Sequence, residues 1–324
     1  MPNVVRRHFN SSNFNRARYI AAVRQMRIMP APGFPNLYDK YIQWHAAAGF
    51  NAVAHLGLAF LAWHRAFLWE FEKDLQSADI ALGNNGAIGL AWWDWTNDTS
   101  TNPADARGRI WQDTFMGPTG TPPSNEVMSG PFVRANWPPG PLLPLPTPQF
   151  LRRNLGGGIL ASTADITYIM SLPNFDVPPY TDAAPDTSFR NVLEGFQRRP
   201  GGTSNYHNSA HGWIGGNMNN VLTSPYEPAF WLNHGNVDRL WARWQVSHPR
   251  LADQWPSDAQ IDAAYPMAKP ANVLKLNDPI LPWDGSAGTR IWTPRSVLRW
   301  QRMGPAGEHQ YRHNTDPPGS FNFS

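Results

Sequence analysis

The chain has 324 residues, 41% hydrophobic and only 16% charged, with a formal net charge of +3; the apolar share supplies a core, and the charged share lies below the globular norm of about 25%. Its basic residues are scattered, with no stripe and no recognised nucleic-acid motif, which argues against nucleic-acid binding. No cysteine is present, so disulfides, thiolate ligands and thiol nucleophiles are all excluded.

Sixteen Trp argue against disorder, because disordered segments lack aromatics. The thirty-two Pro lie mostly between 116 and 188 and near the termini, which predicts long ordered loops there. No run approaches the roughly 18 apolar residues of a membrane span. Arg6-Arg7-His8-Phe9 has the look of a twin-arginine signal, but Arg16, Arg18, Arg24 and Arg27 break the apolar stretch such a signal requires. The expectation is a chain without an export signal of its own, cytoplasmic as synthesised, that binds neither nucleic acid nor membrane.

The first predicted helix covers about 13–28, with Ala17, Ile20, Val23 and Met26 along its inner edge. Leu37, Tyr41, Trp44 and Ala48 then recur at helical spacing up to Gly49. His45 falls near the end of that helix, where a histidine meeting the helix dipole is the ordinary reading. From 60 to 76 the pattern predicts a helix with a buried apolar face. His55 and His64 are nine residues apart and would face opposite ways on one straight helix. They can share an ion only if His55 lies in the preceding loop and folds back over the first turns.

Residues 88–95 read as a short buried strand, and 96–150 mostly as loop. A short helix opens at Thr163 and runs toward Met170. Phe189, Val192, Leu193 and Phe196 mark another, with Ser188 as its N-cap. On the next predicted helix His207 and His211 are four apart and point the same way. His234 stands at the start of a helix carrying Val237, Leu240, Trp241 and Trp244. Asp253 to Ala264 holds one more short helix, and 265–324 is loop-dominated. With no fixed-period repeat and no linker, residues 1–324 read as a single domain. His8, His248, His309 and His313 fit neither set of three and read as surface residues.

Six histidines thus form two sets of three: His45, His55 and His64, then His207, His211 and His234. The chain has no His-Glu-x-x-His of a zinc protease, no Glu-x-x-His of a carboxylate-bridged di-iron bundle and no Cys for a blue-copper site. Six neutral imidazoles suit copper cycling between Cu(I) and Cu(II), while ligand type alone leaves zinc open.

At these residues the chain resembles the bacterial tyrosinases, a family of type-3 dicopper polyphenol oxidases. His55 to Gln76, with His-x8-His-Arg-x-Phe-Leu-x-x-Phe-Glu-x-x-Leu-Gln, is similar to the half that binds the first copper, CuA. His207-Asn-x-x-His-x-Trp-x-Gly-Gly-x-Met218, followed by Pro228-x-Phe-Trp-Leu-x-His-x-Asn-Val-Asp-Arg-Leu-Trp241, is similar to the half that binds CuB. Weaker similarity covers most of the chain.

The resemblance implies a mainly α fold, in which a central four-helix bundle holds a dinuclear copper site among long Pro/Gly-rich loops and a few short strands. It implies two copper ions, CuA on His45, His55 and His64 and CuB on His207, His211 and His234, with O2 as co-substrate. It implies small phenolic substrates, a copper-delivery helper protein as a possible partner, ortho-hydroxylation of monophenols to catechols and oxidation of catechols to o-quinones. A phenol, with a pKa of about 10, must lose a proton before binding metal. The resemblance assigns that step to a water held by Glu194 and Asn208.

Other positions follow from their placement. Asp238, four residues after His234, is a candidate for supporting the ligands; its alternative is a helix-surface charge balanced by Arg239 or Arg243. Asn233 replaces the histidine usual in the family beside the last ligand and is expected to alter hydrogen bonding there. Gly212, Met218, Val221 and Phe230 are candidates for lining the pocket, and core packing is an equal reading for the last three. Phe60 reads as core that also restrains a CuA histidine. The nearest competing activity is an oxidase confined to catechols or o-aminophenols. An oxygen carrier of hemocyanin type is disfavoured because so short a chain has little to spare for a shielding domain, and a structural zinc protein is the remaining alternative.

Overall fold

The computed structural model describes residues 4–141, 147–300 and 311–313. Helices dominate it. The two longest are α4 (Phe60–Ala81) and α8 (Ala229–Ser247), which pack against each other at the centre. Before α4 come α1 (Arg16–Met26), α2 (Leu37–Ala46) and α3 (Ala48–Ala54). Between α4 and α8 come α5 (Thr163–Ser171), α6 (Phe189–Glu194) and α7 (Tyr206–Ile214). After α8 follow α9 (Leu251–Gln254), α10 (Asp258–Ala264) and α11 (Pro294–Leu298).

Helices α2, α4, α7 and α8 form the bundle expected from the sequence, joined by large aromatic side chains. Phe71 of α4 stacks on Trp231 of α8 with centroids 3.5 Å apart, and Tyr41 of α2 meets both edge-on. The indole of Trp231 needs an acceptor once buried. It donates to the Tyr38 hydroxyl at 2.9 Å, which donates in turn to the Pro225 carbonyl at 2.8 Å.

Several boundaries differ from expectation. α1 is shorter than 13–28, and Ala17 is exposed; Tyr19, Ile20, Ala22, Val23 and Met26 form the inner face. Ser188 does cap α6, accepting from the Asn191 amide at 3.0 Å, but the helix stops at Glu194 instead of running to Phe196. It stops because Gly195 adopts a left-handed φ of 113° and turns the chain hard against the start of α7. A Cβ on Gly195 would lie 2.3 Å from the Asn205 carbonyl oxygen, so only glycine permits this approach. Where one helix was read between Asp253 and Ala264 there are two, α9 and α10.

The short strand read at 88–95 is β2 (Ala91–Trp92). It lies parallel to β1 (Val4–His8), which also pairs in parallel with β3 (Tyr311–His313). Neither β1 nor β3 was anticipated. Through β1 the N-terminal segment reaches the core. Arg6 is 1% exposed and clamps Glu72 of α4 through Nε and Nη2, both at 3.0 Å, while its Nη1 donates to Asp238 of α8 at 2.7 Å. Arg65 binds the other Asp238 oxygen at 2.5 Å and lies over the Trp241 ring at 3.6 Å. Two guanidiniums and two carboxylates thus neutralise one another where β1, α4 and α8 meet. Asp238 is therefore no surface charge balanced by Arg239 or Arg243; it is tied to the helix opposite and supports His234 only through α8.

His8 and His248 are half-buried rather than fully surface residues. His8 Nε2 lies 2.7 Å from Asp98, and His248 stacks on Trp244 at 3.9 Å. His309 lies outside the described residues.

Candidate metal centre

Each histidine of the two sets is delivered by a different local device. His45 sits in the last turn of α2, and His64 in the second turn of α4. His55 caps the C-terminus of α3 in an extended conformation, off the α4 helix, as its nine-residue separation from His64 requires. His207 and His211 project from one face of α7, and His234 comes from the second turn of α8.

In each set the three residues offer ligand atoms within 4.8 Å of one another. The Nε2 of His234 lies 3.2 Å from that of His207 and 3.4 Å from that of His211. The sets are also adjacent: His64 and His234 stack with centroids 4.4 Å apart and planes 15° from parallel. Two trigonal groups therefore share one buried space.

The protonation pattern follows from the hydrogen bonds. His55, His64, His207 and His211 each point Nδ1 at a backbone carbonyl, those of Asn51 (3.2 Å), Phe60 (2.9 Å), Glu194 (3.0 Å) and Met218 (2.9 Å). Only an N–H can face a carbonyl, so Nδ1 carries the proton and Nε2 a bare lone pair. Burial, reinforced by neighbouring histidines at several positions, pushes all six pKa values down, to about 4 for His55 and His211, so the rings are neutral. His45 and His64 have buried Nε2 atoms without a hydrogen-bond partner, a cost of about 1–3 kcal/mol each if nothing else satisfies them. A cation in the His45–His55–His64 set would satisfy both lone pairs, the second set offers the same trigonal grouping, and a donor set of neutral imidazoles alone suits copper. The residues fit a dicopper centre.

A cavity of about 360 Å³ opens onto His55, His207 and His211. Met218, Val221 and Gly212 line it as anticipated, and a Cβ on Gly212 would meet nothing within 4 Å. Phe230 does not serve as a wall: it is fully buried behind the ligands, 4.1 Å from the His234 ring. Phe60 is buried, its ring 4.7 Å from that of His64 and 5.0 Å from that of His207. Asn233 accepts from the Trp95 indole at 3.0 Å, tying the turn that follows β2 to α8 beside His234.

Glu194 and Asn208 both reach the cavity next to His207. The His207 Nδ1 lies between the Glu194 carbonyl and the Asn208 amide oxygen, the latter at 3.2 Å. Burial raises the Glu194 pKa to about 7, against the lowering effect of Arg190 and the Leu56 amide. Those two donors hold its carboxylate in place, Leu56 N–H on Oε1 at 2.6 Å and Arg190 Nη1 on Oε2 at 3.0 Å.

Sequence reasoning missed Arg190, Leu56 and Asn272. Leu56 immediately follows a ligand and takes a left-handed φ of 64°, which aims its N–H at Glu194. Asn272, in the region read as loop, donates its side-chain amide to the His55 carbonyl at 2.8 Å, while its own carbonyl accepts from Ala59 at 2.9 Å. It clamps the segment that carries the one ligand lacking a helix. Asn272→Ala is expected to weaken copper binding at the His45–His55–His64 set by about tenfold or more, the range for losing an outer support of a ligand, and to leave binding at the other set within about twofold. Copper titration monitored by calorimetry checks this; equal weakening at both sites would mark a general loss of packing instead.

A family model for the common central domain of tyrosinase matches residues 35–247. A tyrosinase from Streptomyces antibioticus is 33% identical over 291 residues, which cover 87% of this chain and 90% of that protein. Grixazone synthase from Streptomyces griseus subsp. griseus is 30% identical over 318 residues, with 87% and 94% covered. Among solved structures, a polyphenol oxidase variant from Thermothelomyces thermophila superposes with a TM-score of 0.67 at 23% identity, covering 96% of this chain and 88% of that one, which bears out the fold. With a matching domain model and relatives this similar along most of both chains, the protein belongs to the tyrosinase family of type-3 dicopper oxidoreductases.

Proposed function

We propose that His45, His55 and His64 hold one copper ion and His207, His211 and His234 the other, and that the protein uses O2 both to hydroxylate monophenols at the ortho position and to oxidise catechols to o-quinones. The observation that carries the hydroxylase half is the placing of Glu194 and Asn208 together on the cavity wall at His207. When bound, the copper ions supply the redox chemistry toward O2. The side chains supply the rest. Leu56, Met218 and Val221 give apolar wall for an aromatic ring, and the open edge at Gly212 leaves it room. A carboxylate oxygen with one donor keeps a second lone pair, so Glu194 can still orient a water toward the phenol hydroxyl and take its proton, with the Asn208 amide as the second anchor.

An oxidase restricted to catechols or o-aminophenols is the second reading. It is favoured by the two donors already on Glu194, which occupy a lone pair on each oxygen and leave fewer for a water. One comparison separates the two. If Glu194 serves the proton transfer, Glu194→Gln lowers kcat/KM for 4-ethylphenol by about a hundredfold, in the range of general-base losses, and for 4-methylcatechol by much less. Equal losses would remove Glu194 from the role. Wild-type turnover of 4-methylcatechol without any of 4-ethylphenol, even with a trace of catechol to bridge the lag, would retire the monophenolase assignment.

A further inference from the structure

The cavity at the histidines, the inner lobe, adjoins a second hollow, the outer lobe. Phe196 and Asn208 belong to its wall and also to the wall of a neighbouring hollow of about 540 Å³, completed by Gly195, Gln197, Arg198 and Asn205. The two hollows therefore adjoin at Phe196 and Asn208, with the histidines lining the inner one and Arg198 the outer.

Charge is divided sharply between the lobes. No lysine or arginine lines the inner one. The sole carboxylate on either wall is Glu194, whose oxygens are taken by the Leu56 amide and Arg190. In the outer lobe Arg198 is exposed, and among the described residues no carboxylate pairs with it. Its neighbour Arg199 is turned to Asp165 at 3.0 Å and neutralised there. The Arg198 side chain is still positioned, because its Nε donates to the Asn205 side-chain oxygen. The terminal nitrogens are left to meet a ligand as a fork, the geometry that recognises a carboxylate.

We propose that Arg198 is a specificity-determining residue that binds a carboxylate carried on a short arm para to the reacting hydroxyl, so that the preferred substrates are anionic phenols or catechols. The ring lies in the inner lobe against Phe196, and the arm passes between Phe196 and Asn208 to the guanidinium. A cationic arm finds no acceptor of its own charge complement in the outer lobe and meets Arg198 repulsively. The inference rests on the inner cavity being the oxidation site. It does not depend on monophenol hydroxylation, since catechols report it equally well.

The test uses copper-loaded enzyme and a matched series: 3-(3,4-dihydroxyphenyl)propionate, 4-methylcatechol and dopamine. In the wild type kcat/KM should fall in that order, the advantage of the propionate residing in KM and shrinking as salt is raised from about 0.02 to 0.5 M. Arg198→Gln should reduce the propionate-to-methylcatechol ratio by about fivefold, the scale of one solvent-exposed ion pair. Arg198→Glu should reverse the order of propionate and dopamine. Calorimetric binding of the unreactive 3-phenylpropionate should weaken in parallel, independently of turnover. A ratio within twofold of wild type in both variants would overturn the proposal, as would unchanged 3-phenylpropionate binding. Failure of all three catechols to turn over in wild-type enzyme would instead strike at the oxidase reading itself.

Discussion

Replacing His234 by alanine is expected to leave about one copper ion per chain and to abolish O2-dependent oxidation of phenols and catechols. Its Nε2 is the meeting point of the second triad, 3.2 Å from His207 and 3.4 Å from His211. Without it two imidazoles remain on α7, too few for a trigonal site, while His45, His55 and His64 keep their full set. The helix itself should survive, because Phe230, Trp231 and Leu240 still bury the α8 face. Metal analysis after dialysis checks the stoichiometry. The copper-dependent rise in Tm gives a second reading, since a ligand bound only by the folded state stabilises it by mass action. Retention of two ions per chain would refute the ligand assignment. His248→Ala provides the control: that ring stacks on Trp244, and both copper ions should remain.

The largest loss of stability is expected from Asp238→Ala. Asp238 is 3% exposed and accepts from both Arg6 and Arg65, and its removal leaves two guanidiniums in the core with one carboxylate, Glu72, between them. Breaking a buried ion pair from one side costs about 3–5 kcal/mol, because the partner's desolvation is no longer offset. That is a large part of the 5–15 kcal/mol by which folded proteins are usually stable, and it should lower Tm by on the order of 10 °C. Because the same residues join β1 to α4 and α8, the variant should also expose the N-terminal strand to proteolysis at temperatures where the wild type resists. A Tm within about 2 °C of wild type would show that the network contributes nothing net.

Both predictions concern α8, yet the two residues differed in how far they could be read from sequence. His234 belongs to a pattern of residue type and spacing. Six histidines in two sets, with carboxylate and thiolate motifs missing, point to an imidazole-bound metal from residue type and spacing alone. The separation of His55 from His64 even required a break before α4, and the break is there. Asp238 offered no such pattern. Its placement four residues after His234 suggested support for the ligands, with a surface charge as the alternative, but neither reading named its partners, Arg6 and Arg65, which are 232 and 173 residues away.

Phe196 failed for a related reason. Its spacing continues the apolar stripe of α6, but the close approach of Gly195 to Asn205 and Asn208 ends the helix and releases Phe196 to line both the cavity and the hollow beside it. Asn272 could not be found locally, since it reaches the His55 segment from 217 residues away, whereas Arg190 stands only one helical turn before Glu194 on α6 and the i,i+4 spacing of the pair is a local signal.

The sequence by itself determined the helical class, the two sets of three histidines and the family's oxidative chemistry, because helical period, residue type and family motif are properties of short stretches. Tertiary structure alone decided that the two triads share one space through the stacked rings of His64 and His234, that the Leu56 amide binds Glu194, and that an arginine lines the hollow adjoining the cavity. Those outcomes depend on which distant segments pack together, and packing is set by the summed burial and pairing of the whole chain, which local pattern does not encode.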